Sequence, residues 1–235
     1  MSYEATFKSI DDILWKDAGC SSNLDYVEQT SWVLFLKYLD DFESERESAA
    51  LLDGSTHERI LATEYSWSAW AAPRRADGSP DINSALTGDD LRDWVNTKLF
   101  PYLSGFKQSA ETPNTVEYKI GEIFTELRNK LQSGYALRDV INKVDGLRFL
   151  SNDDKHELSG LYEDKIQNMG AAGGAGEYYT PRPLIQSIVQ VVNPVIGETV
   201  YDGAVGSAGF LCEAYAHIRS SKELSVSEYE ELQTS

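Results

Sequence analysis

The sequence has few cysteines, little positive charge and no long apolar run. Its only cysteines, Cys20 and Cys212, stand far apart, which argues against a disulfide framework and fits a reducing compartment, the cytoplasm. Lys and Arg number 21 against 38 Asp and Glu, a formal net charge of −17. Affinity for a duplex comes largely from cations that displace counterions on phosphates, so the chain alone is expected to bind DNA poorly. The same acidity also serves solubility. No apolar stretch approaches the ~20 residues of a membrane span, and the opening Met1-Ser2-Tyr3-Glu4 lacks the basic-then-apolar pattern of a secretory signal. Neither an internal repeat nor a metal-ligand spacing occurs, so no metal site is expected.

What is present is a globular composition. With 235 residues, 41% of them hydrophobic, the chain can bury a real core, and length allows one or two domains. Two are expected. Phe7, Ile10, Ile13 and Leu14 share helical spacing, with an end near Gly19. Asn23 is expected to cap a second helix from Asp25 to Phe42, whose Trp32 to Leu39 stretch is apolar almost all round and therefore central to the core. Thr63 to Gly88 reads as a loop anchored by Trp67 and Trp70; Arg74 and Arg75 in it are either simply solvated or contacts to phosphate or a partner. Thr87 or Gly88 opens the next helix, which Pro101 should end, followed by a connector from Gly105 to Asn114. Ile120, Ile123, Phe124, Leu127 and Leu131 make one packing stripe, and Leu137, Val140, Ile141, Val144 and Leu147 another. A last helix is expected from Ser151 or Asn152 to about Met169, then a linker or flap, Gly170 to Gly176.

The C-terminal stretch carries the chemistry. Thr180 is a suitable N-cap and Pro181 a suitable first residue for a helix bearing Leu184, Ile185, Ile188, Val189 and Val192, which Asn193-Pro194 stops. Glu198 to Asp202 reads as a short strand. It empties into Gly203-Ala204-Val205-Gly206-Ser207-Ala208-Gly209, then a helix with Phe210, Ala214 and Ile218 on one face. Strand, glycine turn and helix together offer a ligand close backbone approach and free N–H groups. The glycine spacing is not the Gly-x-Gly-x-x-Gly of dinucleotide sites, and no Lys-Ser or Lys-Thr follows as in a phosphate-binding loop.

Tyr178-Tyr179-Thr180-Pro181-Arg182, about twenty residues ahead of Asp202-Gly203-Ala204-Val205-Gly206-Ser207-Ala208-Gly209-Phe210-Leu211, resembles the S-adenosylmethionine site of adenine-specific DNA methyltransferases. In particular the chain resembles the modification subunit of type I restriction-modification systems. Trp67 to Trp70, Leu86 to Leu91, Phe100 to Leu103 and Glu117 to Phe124 are similar to that subunit's N-terminal region. Two residues depart from the family pattern: Gly203 stands where proline is frequent, and Ala208 where glycine is frequent.

The resemblance implies a mainly α N-terminal helical domain, residues 1–169, followed by the start of an α/β, Rossmann-like methyltransferase domain, residues 170–235, truncated. It implies S-adenosylmethionine as cofactor, with Glu177, Tyr178, Tyr179, Thr180, Pro181 and Arg182 around its methionine end. Ser207, Ala208 and Gly209, after Gly206, would bring N–H groups toward its carboxylate. Asp202 would order the turn or meet its amine. It also implies a specificity subunit that reads the DNA sequence, a restriction subunit in the full complex, and double-stranded DNA reached through that complex. The family's Asn-Pro-Pro-aromatic motif, which holds the flipped adenine, does not occur in this sequence. No catalytic residue is therefore expected in this chain, and by itself it should be inactive.

Overall fold

The computed structural model describes residues 3–147, 180–206 and 208–221, together with the single residues 160 and 232. The chain forms two compact units, Met1–Lys165 and Ile166–Ser235. The expected helix from Ser151 or Asn152 to Met169 and the glycine-rich segment after it lie outside the described residues.

Among its described residues the regular structure of the first unit is helical, apart from one isolated bridge between Arg74 and Pro80. Helix α1 spans Tyr3–Leu14 and turns Phe7, Ile10 and Leu14 inward. Helix α2 spans Asn23–Asp53. Its cap is Ser22 and not Asn23: Ser22 Oγ accepts the Asp25 N–H at 3.2 Å while the Asp25 carboxylate accepts the Ser22 N–H at 2.8 Å, so each closes a donor that the helix leaves open. The helix runs eleven residues past the expected stop at Phe42, because Glu43 to Leu52 are mostly good helix formers and only Gly54, left-handed at φ 73°, breaks the pattern. Trp32, Val33, Leu34, Leu36 and Leu39 of α2 are buried, which makes it the central core helix that its pattern predicts.

The loop after α2 contains a 3-10 turn, Thr63–Tyr65, and a single helical turn, α3, Trp67–Trp70. Both tryptophans are buried. Trp70 stacks on Trp94 with ring centroids 5.1 Å apart, and the Trp67 indole donates to Asp145 at 2.9 Å, so the loop is pinned as expected. Helix α4, Gly88–Trp94, runs through a π-helical turn, Val95–Leu99, into α5, Phe100–Ser109. Pro101 therefore does not end the helix. A proline lacks an N–H and crowds the carbonyl four residues back. The widened π turn directly ahead of it changes the hydrogen-bond spacing there and lets the helix continue.

Helix α6, Val116–Glu126, buries Ile120 and Phe124 but leaves Ile123 exposed, and it stops before Leu127 and Leu131, which reach the core from an extended segment. Helix α7, Gly134–Asp145, carries its expected stripe as far as Val144: Leu137, Val140, Ile141 and Val144 are inaccessible to solvent, Leu147 is buried just past the helix end, and the helix packs on α1, α2 and α4. Each such side chain contributes about 2 kcal/mol by leaving water. Buried polar groups hold the extended segment between α6 and α7. Asp17 accepts the N–H groups of Gln132 and Ser133 at 3.0 and 2.9 Å, and Gln29 accepts that of Lys130 at 3.0 Å.

The second unit contains helix α8, Arg182–Val192, and helix α9, Gly209–Ser221, packed through Ile185, Val189, Ala214 and Phe210. No strand forms among its described residues. The expected strand Glu198 to Asp202 is irregular backbone, because a strand is held by ladder bonds to a neighbour and none of the described residues supplies one. No described helix is long and apolar enough to cross a membrane.

Candidate functional site

The candidate site lies in the second unit, where α8 and α9 begin. Thr180 does not cap α8; Pro181 occupies the cap position at φ −57° and ψ 137°, with Arg182 and Pro183 in the first turn. Pro183 in the first turn leaves no intrahelical bond unmade, since the N–H it lacks would have had no partner there. The Pro181 carbonyl accepts the N–H groups of Leu184 and Ile185 at 2.9 and 3.1 Å. Arg182 reaches across to α9, its guanidinium 3.5 Å from the Glu213 carboxylate. Sequence reading missed Glu213. The only signal for it is a lone acidic residue on the helix that packs against the one Arg182 starts.

At its C-terminal end α8 stops on Asn193, left-handed at φ 52°, whose side chain meets the His217 ring at 2.9 Å. Ile185 and Val189 are buried in this helix, whereas Leu184, Ile188 and Val192, expected on the same face, are exposed. Two helices cover only a narrow stripe of each other, and a wider apolar face needs a sheet beneath it.

The glycine turn is built as its composition predicts. Asp202 accepts the Ala204 N–H at 3.0 Å and so orders the turn through its own side chain. Gly206 and Ala208 are both left-handed, at φ 49° and 60°. Ala208 donates to Val205 O at 2.7 Å and accepts from the Cys212 N–H at 2.8 Å, which places it at the entrance to α9 with Gly209 as the first helical residue. The first amides of a helix have no acceptor inside it, and they present partial positive charge to whatever lies beyond. Beside the turn a cleft of about 320 Å³ runs between Val189, Val192, Val200, Tyr201 and Phe210, with Asp202 as its carboxylate. The turn thus brings together Asp202, Gly206, Ala208 and Gly209. Glu177, Tyr178, Tyr179 and Ser207 lie outside the described residues.

An amino acid carboxylate fits the amides at the start of α9, an amine fits the free oxygen of Asp202, and an apolar body fits the cleft walls. These are the parts of the methionine end of S-adenosylmethionine. Among the described residues no group of His, Cys, Asp and Glu could hold a metal ion.

Two protein-family models match the chain side by side: the HsdM N-terminal domain over residues 3–144, and the N-6 DNA methylase family over residues 153–232. The chain belongs to the methylase subunits of type I restriction-modification systems. Its relatives include the EcoEI type I methylase subunit of Escherichia coli, 32% identical over 99% of this chain and 45% of the relative. The StySPI methylase subunit of Salmonella potsdam is 31% identical over 88% of this chain and 34% of its own length. A modification subunit assigned to a type I restriction enzyme of Vibrio vulnificus YJ016 superposes with a TM-score of 0.83 at 35% identity, covering 97% of this chain and 48% of that one. A structure from a study of complex assembly and conformational transition in a type I system superposes at 0.69, also at 35% identity. The chain spans under half the length of these relatives.

Proposed function

We propose that the chain is the N-terminal part of a type I DNA adenine methyltransferase subunit that moves a methyl group from S-adenosylmethionine to adenine, working in the cytoplasm with a specificity subunit and, in the full complex, a restriction subunit. The observation that carries the reading is the left-handed pair Gly206 and Ala208 ahead of α9, inside the segment matched by the N-6 DNA methylase family. In this reading residues 1–169 are the helical assembly module and residues 170–235 open the cofactor domain.

The roles follow from the chemistry of the parts. The cofactor supplies an electrophilic methyl group on a sulfonium, so the protein's task is mainly to hold it in line with the acceptor nitrogen. The N–H groups of Ser207 and Gly209 receive its carboxylate, with Ala208, whose own N–H is taken by Val205 O, shaping the turn between them; Asp202 meets its amine while ordering the turn, and Glu177 to Arg182 pack around the methionine end. The pairing of Arg182 with Glu213 fixes the start of α8 against α9 and so sets the distance between the two halves of this wall. DNA is reached through the specificity subunit, in keeping with a chain charge of −17. The adenine-holding Asn-Pro-Pro-aromatic motif is absent from this sequence, so the chain alone transfers no methyl group.

The test is incorporation of radiolabelled methyl into unmodified DNA, with the chain alone and with its specificity partner, beside equilibrium binding of S-adenosylmethionine to the chain. No incorporation in either mixture is expected, with weak cofactor binding that Asp202→Ala abolishes. Transfer by the chain would show that catalytic groups lie within it. Binding unaffected by Asp202→Ala would remove this turn from the cofactor site.

A further inference from the structure

A cleft of about 670 Å³ lies in the first unit along the π turn, α5 and the end of α6. Asn96, Ser104 and Gln108 line it from one helix and Arg128 and Asn129 from the chain that leaves α6, while Gly105 opens its floor. A Cβ added at Gly105 would meet nothing within 4 Å. Beside the apolar Phe100, Pro101 and Phe124, the polar lining is the amides of Asn96, Gln108 and Asn129 and the hydroxyls of Ser104 and Thr125, groups that both donate and accept, with Asn129 donating to Asn96 at 3.1 Å. No carboxylate lines the cleft, although the chain as a whole carries −17. Its one cation is Arg128, whose guanidinium donates to the carbonyls of Thr125 and Leu127 and makes no ion pair with a described residue. The backbone beneath that arginine is fixed, because Gln29 donates to the Arg128 carbonyl at 3.0 Å.

We propose that this groove is a docking site for a short extended segment of a partner polypeptide that carries one acidic side chain. From Asn96 to Gln108 the groove follows about 18 Å of helix, the span of roughly five extended residues. The Gln108 amide suits the backbone N–H and C=O groups of such a segment, and the Arg128 guanidinium suits a carboxylate as a planar, two-pronged donor. Two observations disfavour nucleic acid. Phe100 and Phe124, the aromatic residues at the floor, are buried and packed edge to face at 5.2 Å, so neither offers a face on which a base could stack. A polyanion would also pay repulsion from a chain of net charge −17 along its whole length, whereas a segment with one carboxylate pays little.

The experiment uses the full chain and fluorescent, end-blocked pentapeptides, each carrying one Asp or Glu and each matched by its Asn or Gln counterpart, read by anisotropy. Acidic members should bind about tenfold more tightly than their amide counterparts, since a charge-assisted pair replaces a neutral one. Gly105→Trp, which fills the floor, should abolish the binding, and Arg128→Gln, which removes the charge from an exposed position, should weaken acidic peptides by about tenfold and erase their advantage over the amide counterparts. Circular dichroism and an unchanged melting temperature establish that both variants fold. The proposal is overturned if no acidic peptide exceeds its amide counterpart, if folded Gly105→Trp binds as the parent does, or if adenosine monophosphate or a thymidine hexanucleotide displaces the peptide.

Discussion

The side chain of Gln29 stands in for a strand neighbour of Lys130, accepting its backbone N–H at 3.0 Å from 101 positions away in sequence. The same amide donates to the Arg128 carbonyl at 3.0 Å, and its oxygen also receives the Trp32 indole N–H at 3.0 Å. Gln29 is inaccessible to solvent, so each of these groups depends on it. Gln29→Leu keeps the volume but strands two donors and one acceptor, at about 1–3 kcal/mol for each group that water cannot reach. The expected loss is about 3 kcal/mol or more of unfolding free energy in urea titrations, with the slope unchanged. A loss under about 1 kcal/mol would mean that water replaces the amide.

Asp25 gives the first unit an acid limit. Burial pushes its carboxyl up, but hydrogen bonds from Lys130, Ser21 and Ser22 outweigh burial and hold it well below the usual carboxylate range. A carboxyl that releases its proton more readily when folded stabilises the fold above its unfolded pKa of about 4, and that contribution is lost as pH falls through the folded value. Urea midpoints measured from about pH 3 to pH 7 should therefore drop on the acid side. Asp25→Asn should be less stable at neutral pH and flatter below about pH 4. An identical acid slope in the variant would assign the acid limit to other carboxyls.

Two glycines on the same helix pair should respond in opposite directions. A Cβ at Gly121 of α6 would lie 2.0 Å from the Lys107 backbone nitrogen of α5, and backbone cannot swing aside as a side chain can. Gly121→Ala should cost about 1–3 kcal/mol as the helices separate. At Gly105, in α5 itself, the space is open. Gly105→Ala should stabilise by about 0.5–1 kcal/mol through helix propensity alone. Thermal melts of the two variants check both signs.

The helices of the first unit were legible where burial imposed a 3.6 period, as at Leu137, Val140, Ile141 and Val144. Their ends were less so. Asn23 and Ser22 are both capping residues, and only the reciprocal bond with Asp25 decides between them. Pro101 reads as a stop because the π turn that accommodates it leaves no mark in the pattern of apolar residues. Asp17 and Gln29 were invisible as structural residues, since what makes a buried polar group tolerable is a partner more than a hundred positions away. In the second unit the glycine turn was legible from local chemistry alone. The strand before it was not, since strand formation depends on a neighbour that sequence order does not specify.

The turn also contains a residue that its geometry does not favour. Ala208 is left-handed at φ 60°, a conformation that costs a residue with a Cβ about 1–2 kcal/mol and costs glycine nothing. It persists because Ala208 donates to Val205 O and accepts from Cys212 N–H, two bonds that define the start of α9. Ala208→Gly removes the steric cost and keeps both bonds, although the more flexible unfolded chain gives part of the gain back. The net effect should be about 0.5–1 kcal/mol in favour of the closed turn, which slows opening of the first turn of α9 by up to about fivefold. Hydrogen exchange at the Cys212 amide reads this directly, and Gly206→Ala, which introduces the same steric cost at φ 49°, should speed it. Faster exchange in Ala208→Gly would mean that the left-handed geometry at 208 is not under strain, and that the start of α9 is held by contacts other than these two bonds.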